Sequence, residues 1–152
     1  MLVALRTFAV FLAAIVFVPP AMALSGSSRR STSGTATLTV ASSQFGRIIF
    51  DGRRHALYAF TRDAHGQSRC SGACAAKWPP YLVRGRLQAG AGVQASLLST
   101  IHRPDGTRQV AYAGRPLYYY IGDRKPGQVL CGNVSEFGGL WLVIAPSGRL
   151  IR

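Results

Sequence analysis

The sequence predicts an all-β domain, a small antiparallel sandwich or barrel of two pseudo-symmetric repeats, with one short helical turn near a cysteine pair. Three observations predict it. Short apolar runs rich in Val, Ile and Tyr recur at roughly ten-residue spacing, each closed by Gly, Pro, Asn or Asp, the pattern of strands and tight turns. A seven-residue string recurs sixty residues later. Only residues 71–77 read as a helical turn. At 152 residues the chain has room for one compact domain but not two.

Residues 1–23 carry the three parts of an export signal. Arg6 supplies the positive start, residues 8–18 are an apolar run, and Ala21-Met22-Ala23 follows Pro19-Pro20 as a small-x-small cleavage pattern. The run is too short to span a bilayer, which needs about 20 residues. Cleavage is expected after Ala23, leaving no membrane span in the mature chain. Residues 24–37 form a Ser/Gly/Thr leader with Arg29-Arg30 and no apolar period. The domain then runs over 38–152.

Strands are expected at 38–40 and 47–50, followed by an Asp51-Gly52 turn and a strand over 55–61. The helical turn at 71–77 closes the first repeat, about 45–83. A strand at 97–102 leads into Pro104-Asp105-Gly106, where Pro presets φ and Gly accepts a positive φ. Strands at 109–112 and 116–121 flank Ala113-Gly114. Residues 140–145, Pro146-Ser147-Gly148 and 149–151 read as a closing hairpin. The second repeat covers about 101–146.

The repeat is explicit. Leu57-Tyr58-Ala59-Phe60-Thr61-Arg62-Asp63 matches Leu117-Tyr118-Tyr119-Tyr120-Ile121-Gly122-Asp123, and each copy leads on to a tryptophan, Trp78 or Trp141. Cys131 lies within one residue of the place Cys70 holds in the first copy. Such duplication predicts two β units packed around one core. Tyr58-x-Phe60-x-x-Asp63 and Tyr118-x-Tyr120-x-x-Asp123 resemble the defining motif of the bacterial secreted-repeat family, the predicted lipoproteins with a Yx(FWY)xxD motif. Cys70-x3-Cys74-x3-Trp78-Pro79-Pro80 is similar to the string after that family's first motif, and Phe137-Gly138-Gly139-Leu140-Trp141 to the close of its second. The resemblance spans residues 45–146. It implies no assigned activity and hence no catalytic residues. The chain departs from the family in lacking a lipidation cysteine at the cut and in carrying Cys131.

Residues two apart on a strand share a face, so Tyr58 and Phe60 point together, as do Tyr118 and Tyr120, with Leu57, Ala59, Leu117, Tyr119 and Ile121 opposite. Each Asp stands just past its strand, where an Asx-type turn is open to it. Two readings remain: the rings are core and the carboxylates fix turns, or Tyr58, Phe60, Asp63, Tyr118, Tyr120, Asp123, Trp78 and Trp141 line a shared binding groove for a sugar or cation. Two carboxylates flanking a glycosidic bond would need Asp63 and Asp123 in one cleft.

Cys70 and Cys74 are expected to form a short-range disulfide, as an exported location favours. The rival is a redox or metal-handling protein using Cys70, Cys74 and a histidine. Three intervening residues are one more than redox pairs use, and Ala75 rather than His follows Cys74, against haem attachment. His55, His65 and His102 are isolated in sequence, so no metal or cofactor is expected. Nucleophile elbows and zinc-protease helices are missing, so no enzyme is expected.

Charge supplies the remaining signal. Eighteen basic residues, all arginine except Lys77 and Lys125, face five acids, for a formal net charge of +13. The arginines are dispersed, which suits a generally positive surface better than a nucleic-acid groove. The expected partners are an anionic cell-envelope polymer or lipid headgroups.

Overall fold

Alternating apolar residues build the first hairpin, β1 (Ala36–Ser43) and β2 (Gly46–Asp51), paired antiparallel with Val40 opposite Ile49. The computed structural model describes residues 34–152. The expected signal segment, the cut after Ala23 and leader residues 24–33 lie outside the described residues. β1 starts at Ala36, two residues before the domain boundary expected from the composition change. A short β3 (Tyr58–Phe60) follows, then α1 (Ala73–Lys77) at the helical turn read from the sequence.

β4 (Leu87–Ala89) lies parallel to β1, so the first sheet has the order β2-β1-β4. This pair departs from the antiparallel expectation because the whole first repeat lies between its strands, long enough for a crossover. After a 3₁₀ turn at Ala95–Leu97, the second sheet comprises β5 (Leu98–His102), β6 (Arg108–Tyr112) and β7 (Arg115–Pro116). The strand expected over 116–121 is confined to β7 and two isolated bridges at Tyr118, to Tyr58 and Pro80. The third sheet joins β3, β8 (Val134–Glu136), β9 (Gly139–Ile144) and β10 (Leu150–Ile151).

Two-residue turns with positive φ at both positions close two of these pairs. Ala113-Gly114 links β6 to β7, and Phe137-Gly138 links β8 to β9, with φ of 50° and 74° in the first and 53° and 75° in the second. Positive φ at both central residues matches the twist of the flanking strands. The result is a sandwich-like all-β fold with one helical turn, and among the described residues the sheets do not close into a barrel. No helix among the described residues is long and apolar enough to cross a membrane.

Two hydrophobic clusters lie on either side of the motif strands. Ile48, Phe50, Tyr58, Phe60, Trp78, Tyr118, Trp141 and Val143 form one; Leu38, Ile49, Leu57, Ala59, Val110, Tyr112, Leu117 and Ile144 form the other. Period-two alternation thus sorts residues between two cores rather than between core and solvent.

The repeats exchange their last strands. β9 of the second repeat pairs with β3 of the first, with Tyr58 opposite Val143 and Phe60 opposite Trp141. The corresponding segment of the first repeat runs beside the second motif: Tyr119 N–H donates to Pro79 O at 2.8 Å and Tyr81 N–H to Leu117 O at 2.9 Å. At the centre, Tyr58 and Tyr118 exchange two backbone hydrogen bonds of 2.9 Å.

Candidate functional site

The two motif segments meet at that central bridge, and their side chains repeat the exchange. Tyr58 Oη donates to Asp123 Oδ2 at 2.6 Å, and Tyr118 Oη donates to Asp63 Oδ2 at 2.7 Å. Each tyrosine therefore serves the carboxylate of the other repeat. The second carboxylate oxygen closes a local loop: Asp63 Oδ1 accepts from Arg69 N–H at 2.7 Å, and Asp123 Oδ1 from Leu130 N–H at 2.9 Å. These hydrogen bonds reach six and seven residues ahead, so the Asx-type turn expected at the motif aspartates is replaced by a wider loop. Burial pushes both carboxyls above the usual carboxylate range, against the lowering effect of the donors on each. Burial likewise raises Tyr58 and Tyr118, which stay neutral donors.

The rings form a continuous stack across the same axis. Trp78 and Trp141 lie face to face, centroids 3.9 Å apart and planes within 4°. Phe60 of the first repeat covers the outer face of Trp141 at 4.3 Å, and Tyr120 of the second packs on Trp78 at 4.7 Å. Tyr58 and Tyr118 approach Trp78 and Trp141 edge-on, at 5.3 and 5.2 Å. Stacked and edge-to-face geometries each add about 0.5–1.5 kcal/mol beyond area burial. Tyr58, Tyr118, Trp78 and Trp141 are fully buried, and Phe60 and Asp123 nearly so. These residues, expected as core or as groove, are brought together as core.

The periphery is where the repeats diverge. Cys70 and Cys74 are joined in a disulfide, both buried. Cys131 occupies the place equivalent to Cys70 and is a buried free thiol. Glu136 accepts from Trp78 Nε1 at 3.0 Å and pairs with Lys77, which holds its carboxyl below the usual range. Trp141 Nε1 has no partner among the described residues. On the Asp63 side, Ser68 Oγ accepts from Arg103 Nη1 at 2.8 Å and lies 2.7 Å from Tyr118 Oη, to which it donates because the single phenolic proton goes to Asp63. Arg103, itself buried, also reaches Gln109 Oε1 and Cys70 O.

Sequence reasoning did not single out Ser68, Arg103, Gln109, Lys77 or Glu136. A polar residue inside an apolar strand run, as Gln109 is, was the available signal, since a buried amide needs partners. The histidines stay apart from the cysteines: His55 Nδ1 stands 3.7 Å from Asp51 Oδ2, His65 packs on Gly114, and His102 is exposed on β5. Among the described residues no three His, Cys, Asp or Glu side chains gather as a metal site.

The exchange has a direct test. Tyr58→Phe leaves a buried oxygen of Asp123 without its donor and is expected to cost about 1–3 kcal/mol in urea unfolding, as is Tyr118→Phe for Asp63. In double-mutant cycles, Tyr58→Phe should couple to Asp123→Asn by more than about 0.5 kcal/mol and be additive with Asp63→Asn of its own repeat. Coupling within the repeat instead would contradict the crossed pairing.

A family model described as a secreted repeat of unknown function matches residues 39–81 and 99–145, one stretch in each half of the domain. No curated protein and no solved structure matches the chain significantly.

Proposed function

The chain belongs to the family of secreted repeats of unknown function, and from that premise we propose that it is an exported, non-enzymatic binding module whose arginine-rich exterior holds an anionic cell-envelope polymer. Export would use the amino-terminal signal, cut after Ala23. The paired motifs would serve as the internal clasp of the domain, leaving its outer surface to meet the ligand.

One observation carries this reading: four of the five acids are buried or half-buried, whereas among the described residues every arginine but Arg103 is exposed or partly so. Asp51 and Asp123 are buried, Asp63 and Glu136 are half-buried, and Asp105 alone is exposed, held by Thr107 and near Arg103. Arg47, Arg53, Arg54, Arg69, Arg84, Arg86, Arg115 and Arg149 are exposed or partly so. An exterior so depleted in free carboxylate projects a positive field with little internal compensation. Arginine adds geometry, since its planar fork matches carboxylate and phosphate oxygens.

The test is retention of the secreted chain on a polyanionic resin against a neutral dextran resin. Affinity should fall at least about tenfold from low salt to about 0.5 M NaCl, as screening shortens the reach of surface charge. Equal retention on both resins, or binding indifferent to salt, would remove the proposal.

A further inference from the structure

The two halves differ in a way their shared core does not require. Leu57 N–H donates to Ile49 O and Leu117 N–H to Val110 O, which makes Ile49 and Val110 equivalent and sets Asp51 against Tyr112. The next connection is one residue longer in the first repeat: Asp51 N–H bonds His55 O across residues 52–54, whereas Tyr112 pairs with Arg115 across Ala113-Gly114. Arg53 sits in that longer loop. Tyr119 stands where the first motif has Ala59, and Tyr81 where β9 has Ile144.

These departures gather around one open cleft of about 610 Å³, lined by Asp51, Arg53, Tyr81, Leu82, Arg84 and Tyr119 among others. Its size falls within the range of small-ligand sites, about 300–1,000 Å³. The other half offers an alanine, an isoleucine and a shorter turn at the matching places, so packing of the duplicated core does not account for the cleft.

Its chemistry is specific. Half-buried Tyr119, backed by Tyr81 at 8% exposure, forms an aromatic wall, with centroids 5.2 Å apart and planes tilted by 58°. Both hydroxyls are anchored, Tyr119 Oη donating to Asp51 Oδ2 at 3.0 Å and Tyr81 Oη to Thr37 O at 3.1 Å. Asp51 Oδ1 accepts the N–H groups of Arg53 at 2.9 Å and His55 at 2.7 Å, which fixes the backbone carrying Arg53. With both oxygens covered and a side chain only 8% exposed, Asp51 orders the rim without presenting a free carboxylate. Arg53 and Arg84 are exposed, and among the described residues neither pairs with an acid. Leu82, 40% exposed, adds an apolar surface beside them.

We infer that this cleft binds one acidic saccharide unit, its carboxylate or phosphate held by Arg53 and Arg84 and its ring laid against Tyr81, Tyr119 and Leu82. A guanidinium pair recognises the anionic oxygens, and an aromatic wall accepts the C–H face of a sugar. The inference deepens the proposed anion-binding function and rests on it.

The test is an amide chemical-shift titration of the secreted chain with trigalacturonate, glucose 6-phosphate and neutral maltotriose. At least one charged saccharide should bind saturably and shift Gly52, Arg53 and Leu82, while maltotriose should not. Response to trigalacturonate assigns the carboxylate as the recognised group, and response to glucose 6-phosphate the phosphate. Arg53→Gln and Arg84→Gln should each weaken that binding at least about tenfold, because each removes a charge-assisted hydrogen bond to the anion. Arg62→Gln and Arg115→Gln, away from the cleft, should leave it unchanged.

Equal weakening by all four variants, or none by the first two, overturns the cleft assignment but leaves polyanion retention standing. Binding to anionic vesicles with no response to either charged saccharide also overturns it. Loss of salt-sensitive resin retention in the unmodified chain removes the broader reading as well.

Discussion

Severed between Gly92 and Val93, the domain should lose its fold completely, and the two halves, 34–92 and 93–152, should recover it when mixed. Each half keeps its own three-stranded sheet, β2-β1-β4 or β5-β6-β7. What it loses is the partner for its motif strand, because β3 pairs with β9 and Leu117–Tyr119 lies beside Pro79–Tyr81. Alone, residues 34–92 would expose Trp78, stripped of Trp141 and Tyr120, and leave Tyr58 without Asp123. A half of about 60 residues whose sheet has one uncovered apolar face has marginal stability in water. Near-ultraviolet circular dichroism should be flat for each half and return on equimolar mixing, since the aromatic stack needs both. A cooperative, monomeric unfolding transition from either half by itself would refute the exchanged architecture.

The second large effect is at the stack. Trp141→Ala should cost about 3–5 kcal/mol, a large part of the roughly 5–15 kcal/mol that a domain of this kind typically has. Trp141 is sandwiched between Trp78 and Phe60 and touched edge-on by Tyr118, so three aromatic interactions disappear together. Phenylalanine separates packing from polarity. Trp141 Nε1 has no hydrogen-bond partner among the described residues, whereas Trp78 Nε1 donates to Glu136. Trp78→Phe should therefore destabilise more than Trp141→Phe, by the hydrogen bond to a charged group, about 1.5–3 kcal/mol. Equilibrium urea unfolding compares the two, and equal losses would show that the Glu136 hydrogen bond contributes nothing.

The two motif carboxylates set a pH dependence opposite to that of a salt-bridged acid. Asp63 and Asp123 have folded-state values raised by burial, so the native chain holds those protons more tightly than the unfolded one. Their contribution is fully present below the ordinary carboxyl range and lost as pH rises through the raised values. Glu136, lowered by Lys77, acts in the other direction.

Much of this was legible in the chain. The duplicated string placed two equivalent segments, only the first of which forms a strand, and two-residue alternation separated Tyr58 and Phe60 from Leu57 and Ala59, which the two cores confirm. The helical turn, the closing hairpin and the Cys70–Cys74 disulfide were also readable, because each depends on neighbours a few residues apart. β4 and β8 escaped notice. Both are three residues long and half-exposed, so neither carries an apolar period of its own.

What the sequence determined, then, was local: where most turns fall, which residues share a face, and that the unit occurs twice. Tertiary structure alone decided the partners. Spacing shows that Tyr58 and Asp63 lie near one another along the chain, but a hydroxyl bonds whatever stands opposite it, and that group belongs to the other repeat. The same reason hid the cleft, whose walls come from residues 34–37, 51–53, 81, 82 and 84 of the first half and are completed by Tyr119 of the second. Local pattern is fixed by bonds and torsions within a few residues, whereas facing groups are fixed by the packing that buries the most apolar surface.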